Sequence, residues 1–130
     1  MATGYNVLLR NAQLDATTTF AGALATLRIY SGAQPATGGA VTTLLAQFTL
    51  GSPYAPASSA ATLSPTLPAN VNASTTGTAA WFRVYKADGT TQIIDGTCGT
   101  AGTDMILNTT SLIAGNPVSV TAWTVTRGNA

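Results

Sequence analysis

The sequence predicts a mainly β domain: a jelly-roll-like β-sandwich of about seven or eight short strands with an N-terminal helix or arm. Three observations predict it. Apolar and polar residues alternate with a period of two through several short segments. Gly, Pro, Asn and Asp clusters punctuate these segments every ~8–15 residues. The 130-residue length suits one domain with its own core. Residues 1–130 are therefore read as one unit, with residues 1–22 forming a helix or arm that packs on the sandwich or on a partner.

The elements follow in order. In residues 6–20, Leu9, Ala12, Gln13, Ala16 and Phe20 recur at the spacing of one helical face, and Asn6 is placed to cap the start. The β-branched run Thr17 to Thr19 is a poor helix interior, so a helix of about three turns ending near Thr18 is expected. Ala25, Leu27 and Ile29 then alternate with Thr26, Arg28 and Tyr30, as in a half-buried strand. A Gly- and Pro-rich loop over 31–39 leads to a strand over 41–50 that puts Ala46, Phe48 and Leu50 on one face. Pro53 and Pro56 interrupt the chain, and Pro65 and Pro68 confine any strand over 57–67 to a sheet edge.

Residues 79–86 form the clearest strand: Ala80, Phe82 and Val84 point one way, Trp81, Arg83 and Tyr85 the other. Ala87-Asp88-Gly89 is a hairpin turn signal, and 90–96 is the returning strand. Residues 97–103 read as a Gly/Thr loop, and 104–108 as a short strand through Ile106. In the last strand, 118–127, Val118, Val120 and Ala122 share a face while Trp123 and Val125 take the other. Either both faces are partly apolar or a bulge near Ala122 shifts the register.

Composition excludes much chemistry. Charged residues are only 7% of the chain, against about a quarter in ordinary domains, and there is no Glu or His. No imidazole base, Ser-His-Asp relay or histidine zinc site can be built, so the chain is expected not to be an enzyme and to hold no cofactor or metal. The four Asp read as a helix-surface charge (Asp15), an Asx turn (Asp88) and strand-end solvation (Asp95, Asp104). A calcium site at Asp95 and Asp104 matches no loop signature. Cys98, the lone cysteine, reads as a small hydrophobe rather than a reactive thiol. With a net charge of +1, no nucleic-acid partner is expected, and no signal peptide or membrane span is read. Near-neutral chains associate readily, so life inside an assembly is expected.

Short phrases across most of the chain resemble small tailed-phage and prophage virion proteins. They are Leu9-Arg10-Asn11-Ala12-Gln13-Leu14-Asp15-Ala16, Ala25-Thr26-Leu27-Arg28-Ile29-Tyr30-Ser31-Gly32, Thr78-Ala79-Ala80-Trp81-Phe82-Arg83-Val84 with Asp88-Gly89, and Leu107-Asn108-Thr109-Thr110-Ser111 with Gly115. In size and composition the chain is similar to capsid cement, or decoration, proteins. The resemblance implies a jelly roll that binds as a dimer across capsomers, with the major capsid protein as partner and the capsid exterior as location, after synthesis in the host bacterial cytoplasm. It supplies no catalytic residues. A phage tail, fibre or adaptor subunit and a carbohydrate-binding β-sandwich are the alternatives.

The expected protein contacts are Trp81, Arg83 and Tyr85, together with Tyr5 and the first few residues, because Trp, Tyr and Arg are enriched in interface hot spots. One face of the strand at 79–86 belongs to the core, and Ala80, Phe82 and Val84 suit it better. The Trp81 face then needs cover, either from the N-terminal helix or from a partner chain.

Overall fold

The computed structural model describes residues 5–36, 38–51 and 54–126. Among the described residues the fold is mainly β with one helix. Helix α1 (Val7–Ala21) precedes β1 (Thr26–Tyr30), β2 (Leu44–Thr49), β3 (Thr62–Leu63), β4 (Val71–Asn72) and β5 (Gly77–Thr78). Next come β6 (Trp81–Tyr85), β7 (Gln92–Gly99), β8 (Met105–Leu107) and β9 (Ser111–Leu112). The last described elements are β10 (Pro117–Val118), β11 (Val120–Trp123) and β12 (Val125–Thr126). Pro53 and Arg127, each placed by the sequence at a strand boundary or turn, lie outside the described residues.

A six-stranded sheet runs β11-β8-β7-β6-β1-β2, and β3/β12, β4/β10 and β5/β9 form two-stranded ladders. Strand β7 makes the sheet curl. Its first part pairs antiparallel with β6, and its end, Cys98 and Gly99, pairs in parallel with β8. The core lies between the sheet and the short ladders: Leu27, Ile29, Phe48, Phe82, Val84 and Trp123 pack with Leu63, Ala73, Leu112 and Val118. The inward sets expected at β1 and β2 are found there, because alternate side chains on a strand share a face.

Residues 97–99 belong to β7 rather than to a loop. Cys98 is buried among core residues, which rewards continuing the strand beyond its Gly-rich composition. Near the C-terminus the register shifts between Val120 and Ala122. This bulge turns Trp123 into the core with Val118 and Val120, leaving Ala122 outside.

Helix α1 starts as the sequence suggests, with the Asn6 side chain accepting a hydrogen bond from the Leu8 amide at 2.8 Å. It runs three residues beyond Thr18, to Ala21. Gly22 closes it at φ +67°, donating its N–H to the Thr18 carbonyl. Burial of Leu14 and Ala21 outweighs the weak propensity of the threonines. The buried side is not the one the spacing suggested, however. Leu14 and Ala21 face inward, while Leu9, Ala12, Ala16 and Phe20 are exposed.

Candidate partner-binding surface

Polar anchoring explains the orientation of α1. Asn11 and Asp15 point at the turn over residues 58–61. The Ala61 amide donates to Asn11 Oδ1 at 2.9 Å and the Ser58 amide to Asp15 Oδ1 at 2.8 Å. The Ser58 hydroxyl donates to the Asn11 carbonyl at 2.9 Å. That turn needs holding, because Ala60 and Ala61 both adopt positive φ, +50° and +57°, which L side chains disfavour. The helix thus supplies acceptors to a strained turn, and its other side is rotated outward.

The outward side is apolar. At 100° per residue, Leu8, Leu9, Ala12, Ala16 and Phe20 fall within one broad stripe. Leu8 is 73% exposed and Leu9 48%. Tyr5 precedes the extended Asn6 cap, outside the helix, and is exposed. The rest of the expected N-terminal contact, residues 1–4, lies outside the described residues. At the far end, the Lys86 ammonium sits 4.3 Å from the centroid of the Phe20 ring. Leucines this exposed on one helix face mark an interaction surface better than leucines scattered singly.

Strand β6 is the opposite case. Trp81, Arg83 and Tyr85 are buried within the chain, so they offer almost no surface to a partner. They lie across the sheet from Tyr30, Arg28 and Thr26 of β1. Trp81 stacks on Tyr30 with ring centroids 4.5 Å apart. The Arg83 guanidinium lies 5.2 Å from the Trp81 centroid, and Arg28 lies 4.7 Å from that of Tyr85. Arg83 also makes a two-pronged ion pair with its cross-strand neighbour Asp95, at 2.7 and 3.0 Å.

The cover comes from the loop between β1 and β2, neither the helix nor a partner chain. Trp81 Nε1–H donates to Thr42 Oγ1 at 3.0 Å, and the Gly38 amide donates to Asp95 Oδ2 at 3.3 Å. The signal that sequence reasoning missed is that Thr42 and the Gly38 backbone offer an acceptor and a donor matching the indole and the carboxylate.

The electrostatics follow. Hydrogen bonding to Asp95 holds the Arg83 guanidinium charged more firmly than usual, against the opposing effect of burial. Burial pushes the Tyr30 phenol up to about 12, with the Tyr85 hydroxyl 3.5 Å away adding to it. Burial also pulls Tyr85 upward. Its hydrogen bonds with Tyr30 and Arg83 and the charges of Arg83 and Arg28 outweigh that pull and leave it below the ordinary phenol value. Such a network rigidifies the outer face of the sheet.

The remaining sequence candidates have structural partners. Asp88 accepts from the Thr90 and Thr91 amides in the hairpin turn, as an Asx residue does, and these bonds with the Thr91 hydroxyl lower it to about 2. Asp95 is engaged by Arg83, and Asp104 accepts from the Thr97 amide and hydroxyl. No group of three or more metal-ligating side chains occurs among the described residues. Burial raises the Cys98 thiol to about 12, which disfavours the reactive thiolate. No helix among the described residues is long and apolar enough to cross a membrane. Compared with known proteins, the chain matches no family model, no curated sequence and no solved structure.

Proposed function

We propose that this chain is a structural virion protein: a capsid cement, or decoration, protein that binds and stabilises the shell built by the major capsid protein of a tailed phage. It acts without catalysis, cofactor or metal, on the capsid exterior, and as a dimer. The observation that carries the reading is the apolar outer face of α1, with Leu8 and Leu9 exposed. The helix turns Asn11 and Asp15 toward its own domain beside Leu14 and leaves Leu8 and Leu9 in solvent, which suits a subunit whose outer helix face is buried on docking. The likeness of its short phrases to small virion proteins names the partner. In the same reading, the curled sheet and its opposing ladders are a variant of the jelly-roll sandwich.

With five basic and four acidic residues in the chain, docking depends on apolar contact and tolerates salt. The test is binding to native particles stripped of this protein. Leu8→Glu combined with Leu9→Glu weakens binding about tenfold or more, while thermal unfolding of the isolated domain stays nearly unchanged. Undiminished occupancy by that variant removes the helix face from the interface. Electron-microscopic localisation on the tail instead of the head overturns the cement reading itself.

A further inference from the structure

Backbone strain in this chain clusters around α1. Among the described residues, three other than glycine have positive φ: Leu24 at +57°, Ala60 at +50° and Ala61 at +57°. Leu24 lies in the connector from α1 to β1, and Ala60 and Ala61 form the turn on which α1 docks. Such residues persist only where surrounding contacts hold them, and they concentrate in segments that switch. We infer that α1 is a strain-loaded latch. It leaves the domain as a unit, pivoting at residues 22–24, while the sheet stays folded, and its departure lets the turn over 59–62 relax. This is a property of the domain itself, independent of what the chain docks on.

The turn supplies the load. Ser59 and Thr62 exchange backbone hydrogen bonds at 3.0 and 2.9 Å, closing a two-residue hairpin whose central residues are both left-handed. That shape suits Asn-Gly; with Ala-Ala, each central residue is disfavoured roughly tenfold. Helix α1 compensates by accepting from the Ser58 and Ala61 amides and from the Ser58 hydroxyl. Turn strain and helix position are therefore one equilibrium. Leu24 adds to the load: it is 57% exposed, so little packing rewards its left-handed backbone.

Burial holds α1 lightly. Of its 15 residues only Leu14 and Ala21 are buried. The Thr18 hydroxyl oxygen is buried and finds no hydrogen-bond partner, a cost that water removes on release. In β6, by contrast, all five residues are buried, so that strand opens only when the whole domain does. A released α1 does not persist as a helix. At 15 residues, with three successive threonines, it is marginal in water, and its amides lose protection together. The coupling is reciprocal: whatever draws α1 outward relaxes the turn, and whatever pulls the turn out of its left-handed shape frees α1.

Native-state hydrogen exchange of the intact chain, followed by NMR in urea below the unfolding transition, tests the latch. The amides of residues 11–21, Ser58 and Ala61 are expected to exchange through one opening with a shared urea dependence, well before those of β1 and β6. Ala60→Asn changes an exposed side chain to one that tolerates the left-handed backbone. It is expected to make that opening about fivefold rarer and to leave its urea dependence unaltered. Exchange of α1 only together with the sheet, or graded inward from the helix ends without urea dependence, overturns release as a unit. An opening frequency that Ala60→Asn leaves unchanged, or an opening in which Ser58 and Ala61 take no part, overturns the storage of strain in the turn.

Discussion

Helix α1 and strand β6 each carry aromatic or apolar side chains that look equally ready for a partner, and the molecule treats them oppositely. In β6 both faces are buried. Phe82 and Val84 enter the core, and Trp81, Arg83 and Tyr85 lie beneath the loop that follows β1. In α1 only a narrow side is buried, and Asn11 and Asp15 anchor it to backbone amides of a neighbouring turn. The difference teaches that backbone donors needing acceptors can orient an element against its hydrophobic pattern. Each buried amide left without an acceptor costs about 1–3 kcal/mol, comparable to leaving one leucine exposed, and the helix satisfies the Ser58 and Ala61 amides at once.

The contrast can be broken most forcefully at the sealed face. Asp95→Ala strands the Arg83 guanidinium under the loop and is expected to cost about 3–5 kcal/mol in urea unfolding. Combining Asp95→Leu with Arg83→Met should recover most of that loss, because no buried charge then remains. A single variant that unfolds like the wild type would show the ion pair to be solvated.

Removing the helix's acceptor comes next. Asn11→Ala leaves the buried Ala61 amide without its partner and should destabilise by about 1–3 kcal/mol. If polar anchoring orients α1, the same variant also raises hydrogen exchange across residues 58–61. Unchanged exchange there would mean that Leu14 and Ala21 hold the helix by themselves.

At high pH the buried groups sharpen the picture. The Cys98 thiol is raised from 9.0 to about 12. A folded value above the unfolded one gives stability that is complete below pH 9.0 and lost as pH climbs through about 12. The denaturation midpoint should therefore fall across that window, and part of the fall should vanish in Cys98→Ala. A thiol reagent should meanwhile label Cys98 only upon unfolding at neutral pH.

The smallest effect belongs to the exposed stripe. Leu9→Ser should change stability by less than about 0.5 kcal/mol, since the side chain packs little on its own domain. A larger loss would mean that the helix face is part of this chain's own core rather than a docking surface.

Several features were legible in the residues themselves. The alternation at β1 and β6, the Asp88-Gly89 turn, the Asn6 cap and the register break near Ala122 all follow from neighbours within a few positions, where backbone geometry imposes the period. The extension of β7 through Cys98 was not legible, since it depends on β8, a segment seven residues beyond Cys98 in its pairing with Met105. Nor was the closure of the Trp81 face, which needs Thr42, 39 residues away in sequence.

The candidate surface divides in the same way. Leu9 could be picked from the helical period, but not the direction it faces.

By itself, the sequence determined that this chain alternates into short strands, begins with a capped helix, and lacks the imidazole, glutamate and paired thiols that most catalysis and zinc binding require. Only the tertiary structure decided which apolar stripe is sealed and which is offered outward. The physical reason is range. Periodicity and capping act over a few residues, whereas hydrogen-bond satisfaction of the Ala61 amide and the Asp95 carboxylate is settled by groups brought together from distant parts of the chain.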